Sequence, residues 1–590
     1  MRLIGVLSVT LLAMTSQVDL FGQGWRTRFE TPFEKGDGWD SADYRSAIEF
    51  YRDLASESPL VTISEMGKTD SGFPLHLVLV ARDQKENGKQ LRHDPRSIML
   101  INNAIHAGEP DGVDASMAFV RDLAYDEQRF GKILEDVIVA VIPVYSIGGA
   151  LNRNSGTRAN QNGPREYGFR GNARNYDLNR DFVKCDTLNA RSFASIFQLL
   201  DPDLFIDTHV SNGADYQHVM TTSHSQKDKL GLKLGTYLHE VFEPKLFGQL
   251  RERGLHTIPY VNSGGDPPDK GFPQFLETPR YSTGFAALFQ TMGFMTETHM
   301  LKPYPQRVEA TGEFLRAAVE LLAIEGNRIQ EIREQDRGAY YRQTLAPLQW
   351  EVDWENPSKL EFHGYEANVI ESRVTSGQRL RYDRNKPYVR DIRYFNNYTA
   401  SQRVKLPAGY VIPRQWRNVI ELMEINQVEH RVVDKAMNVS VEAYRIEDVK
   451  SRATPYEGHH FHDVVKLSTS REEMVVRPGD VIVPIKQDRA RYVVEMLEPQ
   501  AVDSLFRWNF FDTILQRKEY FSPYVFEDAA EKMLAEDPKL RSDFESRKRD
   551  DEQFASDPKT QLQYLYQRSA HYEKAHRRYP VARLLTLPES

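Results

Sequence analysis

Short apolar runs alternate with longer segments of helical periodicity over the first half of the chain. The runs have the length of β-strands and lie at 60–64, 74–81, 97–102, 137–144, 203–209, 216–222 and 293–298. In 111–124, 188–200 and 308–335, apolar residues recur every three to four positions, which is typical of amphipathic helices. The alternation predicts a layered α/β domain from about residue 40 to residue 335.

The pattern changes after about Tyr340. Alternation of period two appears in EANVIESRV and RVVDKAMNVSVEAYRI, and turn signals such as RPGD follow. These features predict a β-rich accessory domain over 341–526. Residues 527–590 are charged with helical spacing, which predicts a short helical tail.

The N-terminus has a composition of its own. MRLIGVLSVTLLAM carries one arginine and then an apolar run, as signal peptides do. The run is shorter than the roughly 20 residues that a membrane-spanning helix needs. We therefore expect a signal peptide that covers approximately residues 1–22. We also expect export to the periplasm or the extracellular space, and no membrane span once the signal peptide is removed.

Composition narrows the range of partners and stabilising bonds. The chain has 590 residues, 27% of them charged, and a formal net charge of −8, which suits a soluble protein of two or three domains. The acidic balance and scattered basic residues argue against a nucleic-acid partner. Cys185 is the only cysteine, so no internal disulfide can form, and we interpret it as a passive thiol.

The first candidate chemistry lies in IHAGEPDG, directly after the apolar run 97–102. His106 and Glu109 are three residues apart on a turn that Gly108 and Pro110 favour, so both side chains can reach one metal ion. An H-x-x-E pair is common by chance, and a third ligand is needed.

His209 supplies that third ligand at the end of DLFIDTH. The carboxyl ends of strands in an open α/β sheet share one crevice, so two strand ends can surround one ion. Three protein ligands with a fourth position left for water are typical of catalytic zinc. Asp207, two residues earlier, is a candidate to orient one of the ligands.

The segment RGNARNYDLNRDF, residues 170–182, combines aspartate, asparagine and arginine side chains. A guanidinium group can grip a carboxylate through two hydrogen bonds, so the segment is a candidate anion receptor. A solvated loop with incidental ion pairs is the alternative. HHFH, residues 459–462, is a weak candidate for a second metal site because it lies in the accessory region without an identified acidic partner.

Taken together, HAGE, DLNR, the strand-end D-x-H and a late glutamate resemble the zinc carboxypeptidases of the carboxypeptidase A type. EMGKTDSGFPLHLVLVA is also similar to the first hairpin of that family. The resemblance spans about 40–330 and rests on the order of the motifs. It implies an α/β/α sandwich around a mixed, twisted sheet over a catalytic domain at 25–340, and an enzyme that hydrolyses C-terminal residues from peptides.

The resemblance also assigns roles to single residues. It implies that one zinc ion per chain is bound by His106, Glu109 and His209. It further implies that a zinc-bound water attacks the peptide bond with Glu297 as the general base. The substrate carboxylate would be held by Asn179 and Arg180.

Two roles have more than one candidate residue in the sequence. Arg170, in a motif similar to the family's R-K-N, would stabilise the oxyanion, with Arg174 as the rival. The tyrosine that closes over substrate in the family corresponds to Tyr281 or Tyr260, and we take Tyr281. PVYSIGG, residues 143–149, replaces the family's usual N-P-D-G after the middle strand.

Two other functions remain open. One is an N-acyl amino acid deacylase of the aspartoacylase or desuccinylase type, against which the chain length and the predicted export argue. The other is a catalytically silent binding protein on the same fold, against which the complete ligand set argues. Protein C-termini and cell-wall peptides are both possible substrates, and the oligomeric state is not predicted.

Overall fold

The computed structural model describes residues 24–83, 91, 94–263 and 265–588. The predicted signal peptide lies outside these residues. Within the described ranges, no helix combines the length and the apolar composition needed to cross a bilayer.

A mixed sheet forms the centre of the N-terminal half. The first nine strands are β1 (Val61–Lys68), β2 (Pro74–Val80), β3 (Ser97–Asn102), β4 (Val137–Ile142), β5 (Leu204–Ser211), β6 (Met220–His224), β7 (Ile258–Pro259), β8 (Phe272–Pro273) and β9 (Met292–His299). Eight of them form one sheet in the order β1-β2-β4-β3-β5-β9-β6-β7. Strands β4, β3, β5 and β9 run parallel to their neighbours in this series. The pairs β1–β2, β2–β4 and β6–β9 are antiparallel.

Both faces of this sheet are buried because its central strands are apolar on both sides. On β4, Ile138 and Ile142 face one core, whereas Val139 and Val141 face the other. The main helices are α1 (Tyr44–Glu57), α2 (Asp111–Tyr125), α3 (Leu188–Leu200), α4 (Glu243–Glu252) and α5 (Tyr304–Tyr340). Apolar residues of α3 pack in the first core, and those of the other four pack in the second. The predicted α/β/α sandwich is confirmed.

The C-terminal half is rich in strands. They are β10 (Leu345–Val352), β11 (Ser358–Glu371), β12 (Gln378–Phe395), β13 (Tyr398–Lys405), β14 (Gly409–Ile412), β15 (Arg431–Val432), β16 (Met437–Ser451), β17 (His462–Val476), β18 (Val481–Pro484) and β19 (Ala582–Leu584). A long β11–β12 hairpin pairs with β8, and a six-stranded sheet has the order β15-β18-β14-β19-β16-β17. Two longer helices, α6 (Arg417–Ile425) and α7 (Ala490–Leu497), accompany them.

The helical tail is confirmed, with one addition. Its helices are α8 (Pro523–Glu536), α9 (Pro538–Asp550), α10 (Glu552–Ser556) and α11 (Pro558–Tyr566), which share a small core of their own. The chain then returns as β19 between β14 and β16. The end of the tail therefore completes the accessory sheet, which helical spacing did not indicate.

The two halves pack on each other through a common core on the α3 side of the central sheet. Phe289 stacks on Tyr492 with ring centroids 5.4 Å apart. Arg491 of α7 donates to the carbonyl groups of Leu230 and Ala287 at 3.1 and 2.9 Å. These buried contacts fix the accessory region against the N-terminal half.

Candidate active site

The loop after β3 carries His106 and Glu109. It is a tight turn, because the backbone N–H of Glu109 donates to the His106 carbonyl at 2.9 Å. At Gly108 an added Cβ would lie 2.7 Å from Arg158 Cδ and 3.0 Å from the carbonyl oxygen of Gly168. Any larger residue would displace the Arg158 side chain and press on the Gly168 carbonyl, so glycine suits this position between the two candidate ligands.

His209 and Glu297 occupy neighbouring strands. In the parallel pairing of β5 with β9, His209 is in register with Glu297. Paired residues of adjacent strands project on the same face of a sheet. The register therefore places a candidate metal ligand and the candidate general base side by side.

The three candidate ligands converge. His106 Nδ1 lies 3.3 Å from one Glu109 carboxylate oxygen, and His209 Nδ1 lies 3.2 Å from the other. One donor atom from each residue lies within 4.8 Å of the other two. All three side chains are buried.

Carboxylates hold the far side of both imidazole rings. His106 Nε2 is 2.9 Å from Asp177 Oδ1, and His209 Nε2 is 2.8 Å from Asp207 Oδ2. Asn102 in turn donates to Asp207 at 3.0 Å. With each Nε2 engaged by a carboxylate, each Nδ1 is directed toward Glu109. The predicted orienting contact of Asp207 is present, and Asp177 makes the equivalent contact to His106.

This donor set fits zinc. Two imidazole nitrogens and one carboxylate are a common ligand set for catalytic zinc, and carboxylate partners on the outer nitrogens are the usual support. Tetrahedral zinc with bonds of about 2.0–2.1 Å requires donor atoms about 3.3 Å apart. The two Nδ1–carboxylate separations are near that value, and each imidazole approaches a different oxygen of Glu109.

The candidate residues line one cavity of about 450 Å³. Eight of the nine predicted site residues border it: His106, Glu109, Arg170, Asn179, Arg180, His209, Tyr281 and Glu297. Tyr260, the alternative closing tyrosine, also borders it. Arg174 is not part of this wall; its guanidinium donates to the Asp186 carbonyl at 3.1 Å and lies over the ring of Tyr176.

Arg170 approaches the candidate ligands. Its guanidinium donates twice to Asp177 Oδ2, at 2.8 and 3.2 Å, and its Nη1 lies 3.8 Å from Glu109 Oε1. The charge therefore lies on the cavity wall beside the candidate ligands. This placement favours Arg170 over Arg174 for the predicted oxyanion role.

Arg180 is held on three sides. Its guanidinium lies 4.4 Å above the ring of Tyr281, Nη1 donates to the Asn179 carbonyl at 2.8 Å, and Nε donates to the hydroxyl of Tyr456 at 2.9 Å. Next to Tyr456, the Glu457 carboxylate accepts the backbone N–H of Asp177 at 2.9 Å. The loop between β16 and β17 thus brings the accessory region to the cavity, which the sequence did not predict.

Electrostatics separate the roles of the two glutamates. Burial raises the pKa of Glu297 to about 8, and the charges of Glu109 and Asp207 add to this while His209 opposes it. Burial acts in the same direction on Glu109, but Arg158 and His106 outweigh it and hold the pKa of Glu109 well below its usual range. Glu109 is therefore anionic, as a candidate metal ligand needs to be, and Glu297 is a carboxyl group that can hold a proton.

Sequence reasoning missed two charged residues of the site. Arg158 donates to Glu109 at 2.9 Å, and the stretch GTRAN around it carries no recognisable signal. Asp177 contacts both His106 and Arg170, and its place at the start of DLNR was a signal that went unused. The HHFH candidate gains no support, since His459 and His462 pair with Asp186 and Asp512 at 2.7 and 2.9 Å.

Comparison with known proteins identifies the fold around this cavity. Residues 47–229 match the family model for zinc carboxypeptidases. The chain carries a zinc carboxypeptidase domain. The resemblance stated from the motifs is confirmed, as is the enzyme class, a zinc metallocarboxypeptidase.

Sequence similarity to individual proteins extends beyond the residues that match the zinc carboxypeptidase family model. Carboxypeptidase 2 of Trichophyton rubrum is 22% identical over 479 residues, which cover 77% of this chain and 81% of that protein. Carboxypeptidase 2 of Trichophyton equinum is 21% identical over 475 residues, again 77% and 81%. A match over that share of the chain must run well into the accessory region.

Solved structures with similarity include two bacterial enzymes. A metallo-carboxypeptidase from Burkholderia cenocepacia is 12% identical with a TM-score of 0.36, covering 48% of this chain and 70% of that chain. One from Pseudomonas aeruginosa is 15% identical with a TM-score of 0.35, covering 48% and 69%.

Proposed function

We propose that this protein is an exported metallocarboxypeptidase that binds one zinc ion at His106, Glu109 and His209 and removes C-terminal residues from peptides. The observation that carries the proposal is the convergence of these three donors with Glu297, Arg170 and Arg180 around one cavity. A silent binding protein would not need a protonatable carboxyl group beside a metal.

When bound, zinc supplies a Lewis acid that polarises the scissile carbonyl and lowers the pKa of a coordinated water to about 7. Glu297 accepts the proton of the attacking water and passes it to the departing amine. Glu297 would act as the base in its carboxylate form, which positive charge bound at the adjacent candidate ligands would favour. Arg170 stabilises the negative charge that develops on the carbonyl oxygen.

The substrate terminus is recognised at the other end of the cavity. Arg180 and Asn179 bind the terminal carboxylate, which determines that the last peptide bond meets the metal. Tyr456 orients Arg180 through its hydroxyl group, and Tyr281 supports the guanidinium from below. The accessory region is therefore a positioning part of the substrate site, in addition to its packing role.

A peptide digest tests the proposal. Zinc-reconstituted protein is incubated with a peptide library, and the products are followed by mass spectrometry. We expect stepwise loss of single C-terminal residues and no cleavage of C-terminally amidated peptides, since these lack the carboxylate for Arg180. Internal cleavage, or hydrolysis restricted to N-acyl amino acids, would favour another hydrolase; turnover of cell-wall peptides would define the substrate within the same reaction.

Export is the second part of the proposal, and the apolar run at 1–22 supports it. Fractionation of expressing cells should place the mature protein outside the cytoplasm. N-terminal sequencing of that fraction should find a start near residue 23.

A further inference from the structure

A second cluster of metal-ligating side chains lies between the catalytic half and the β11–β12 hairpin. His256 belongs to the segment that precedes β7, and Glu361 and His363 belong to β11. Residues two apart on a strand project from the same face, so the two β11 side chains both point toward His256. One donor atom from each of the three residues lies within 4.8 Å of the other two.

The two imidazole rings of this cluster pack edge to face, with their centroids 4.2 Å apart. Glu361 Oε1 lies 3.2 Å from His363 Nε2 and 3.6 Å from His256 Nε2, both close to the about 3.3 Å edge of a tetrahedral zinc site. The Nε2 atoms are therefore the candidate imidazole donors, and the two Nδ1 atoms lie 3.4 Å from each other. Both histidines are partly exposed, and His256 and Glu361 line an open groove that gives solvent access.

A buried histidine beneath the cluster hydrogen-bonds to the backbone of both His256 and His363. His218 is 3% exposed. Its Nδ1 donates to the His256 carbonyl at 3.0 Å, and its Nε2 accepts the backbone N–H of His363 at 3.2 Å. The Nε2 atom can accept only from a neutral ring, so His218 adds no positive charge. This clamp holds the two donor segments in place before any ion arrives.

We propose that His256, Glu361 and His363 form a second divalent metal site of the zinc class. Two imidazoles and one carboxylate leave a fourth position for water, and the ligand types suit zinc over calcium or magnesium. The ion joins the catalytic half to the β11–β12 hairpin, two segments about a hundred residues apart. Its role is to hold the hairpin in place, so it is independent of the proposed catalytic function.

Arg251 is the charge that competes with this ion. Its Nη2 donates to His256 Nε2 at 2.8 Å and lies 3.6 Å from Glu361 Oε1. The side chain is 63% exposed and can turn into solvent when a metal binds. Removing it should strengthen metal binding, a gain that damage to the fold cannot produce.

Zinc titration of the full-length protein tests the site. The background variant His106→Ala/His209→Ala removes donors of the first site, so calorimetry with zinc chloride reports the second. We expect one equivalent to bind and to raise the thermal unfolding midpoint. On this background His363→Ala should weaken binding at least about tenfold, and Arg251→Gln should tighten it about fivefold. Circular dichroism confirms that each variant is folded.

Three results would overturn the proposal: no zinc bound by the background variant at 100 µM or so, unchanged affinity after His363→Ala, or no gain after Arg251→Gln. These results leave the proposed catalytic site untouched. Failure of the proposed catalytic function would give a different result. A protein with intact His106 and His209 would then bind no zinc at these residues and cleave no peptide.

Discussion

Replacing Tyr456 by phenylalanine isolates the contribution of the accessory region to substrate binding. The change removes one hydroxyl group, which accepts the Arg180 Nε–H at 2.9 Å, and keeps the aromatic ring. The ring is worth keeping because it stacks near Trp508 and lies beside Arg280. The packing of the loop should therefore survive.

The expected effect follows from what still holds Arg180. A hydrogen bond that involves a charged group contributes roughly 1.5–3 kcal/mol. The Arg180 side chain is 21% exposed and keeps its contacts to Asn179 and Tyr281, so water and these partners offset part of the loss. We expect about 1–1.5 kcal/mol weaker binding of the terminal carboxylate, close to a tenfold rise in KM.

The assay compares KM and kcat on a short peptide with a free C-terminus. Tyr456→Phe should raise KM about tenfold and change kcat less than about threefold, because Glu297 and Arg170 do not contact the lost hydroxyl. Tyr579→Phe is the matched control. It removes a phenolic hydroxyl group that donates to the Leu497 carbonyl at 2.9 Å within the accessory region. The control should lower stability and leave KM unchanged. A wild-type KM in Tyr456→Phe, with the protein folded, would refute the positioning role.

Three further predictions test the site and its surroundings. Glu297→Gln should retain zinc, measured by elemental analysis, and lose about 10²–10⁴ in kcat, since amide and carboxyl have the same shape but the amide cannot accept the proton; full turnover would exclude it as the base. Asp177→Asn should weaken zinc affinity about 10–100-fold in a competition titration with a chelator, because His106 loses its carboxylate partner, and unchanged affinity would contradict that support. Burial raises the pKa of Asp114 from 3.8 to about 7. Because the folded state binds this proton more tightly than the unfolded state, the protonated carboxyl stabilises the fold fully below pH 3.8. That contribution, at most about 4 kcal/mol, is lost as the pH rises through 7. Urea unfolding of Asp114→Asn should therefore lack this part of the pH dependence, and parallel pH profiles of the two proteins would contradict it.

Much of the catalytic half could be predicted because its signals are local. Apolar runs such as 137–144 become central strands, since a strand that is buried on both faces is apolar at successive positions. His209 and Glu297 stood at strand ends, and the parallel register of β5 and β9 brings them together. One strand was displaced: the run 216–222 predicted a strand that is Met220–His224 in the structure, because Tyr216 instead bridges to Gly364 of the hairpin.

The remaining parts of the site depend on contacts far apart in the sequence. Tyr456 and Glu457 reach Arg180 and Asp177 from about 280 positions away, and no periodicity encodes such a meeting. Arg158 is likewise fixed only by the tertiary position of its loop beside Glu109. The second histidine cluster needs the docking of β11 against the segment before β7, which the sequence pattern does not indicate.

Anomalous diffraction at the zinc edge from crystals of the zinc-reconstituted enzyme tests the central claim most directly. We predict a peak within bonding distance of His106 Nδ1, His209 Nδ1 and a Glu109 carboxylate oxygen, and its disappearance in His209→Ala together with peptidase activity. No density among these three side chains in an active enzyme would contradict the account, as would an active His209→Ala protein.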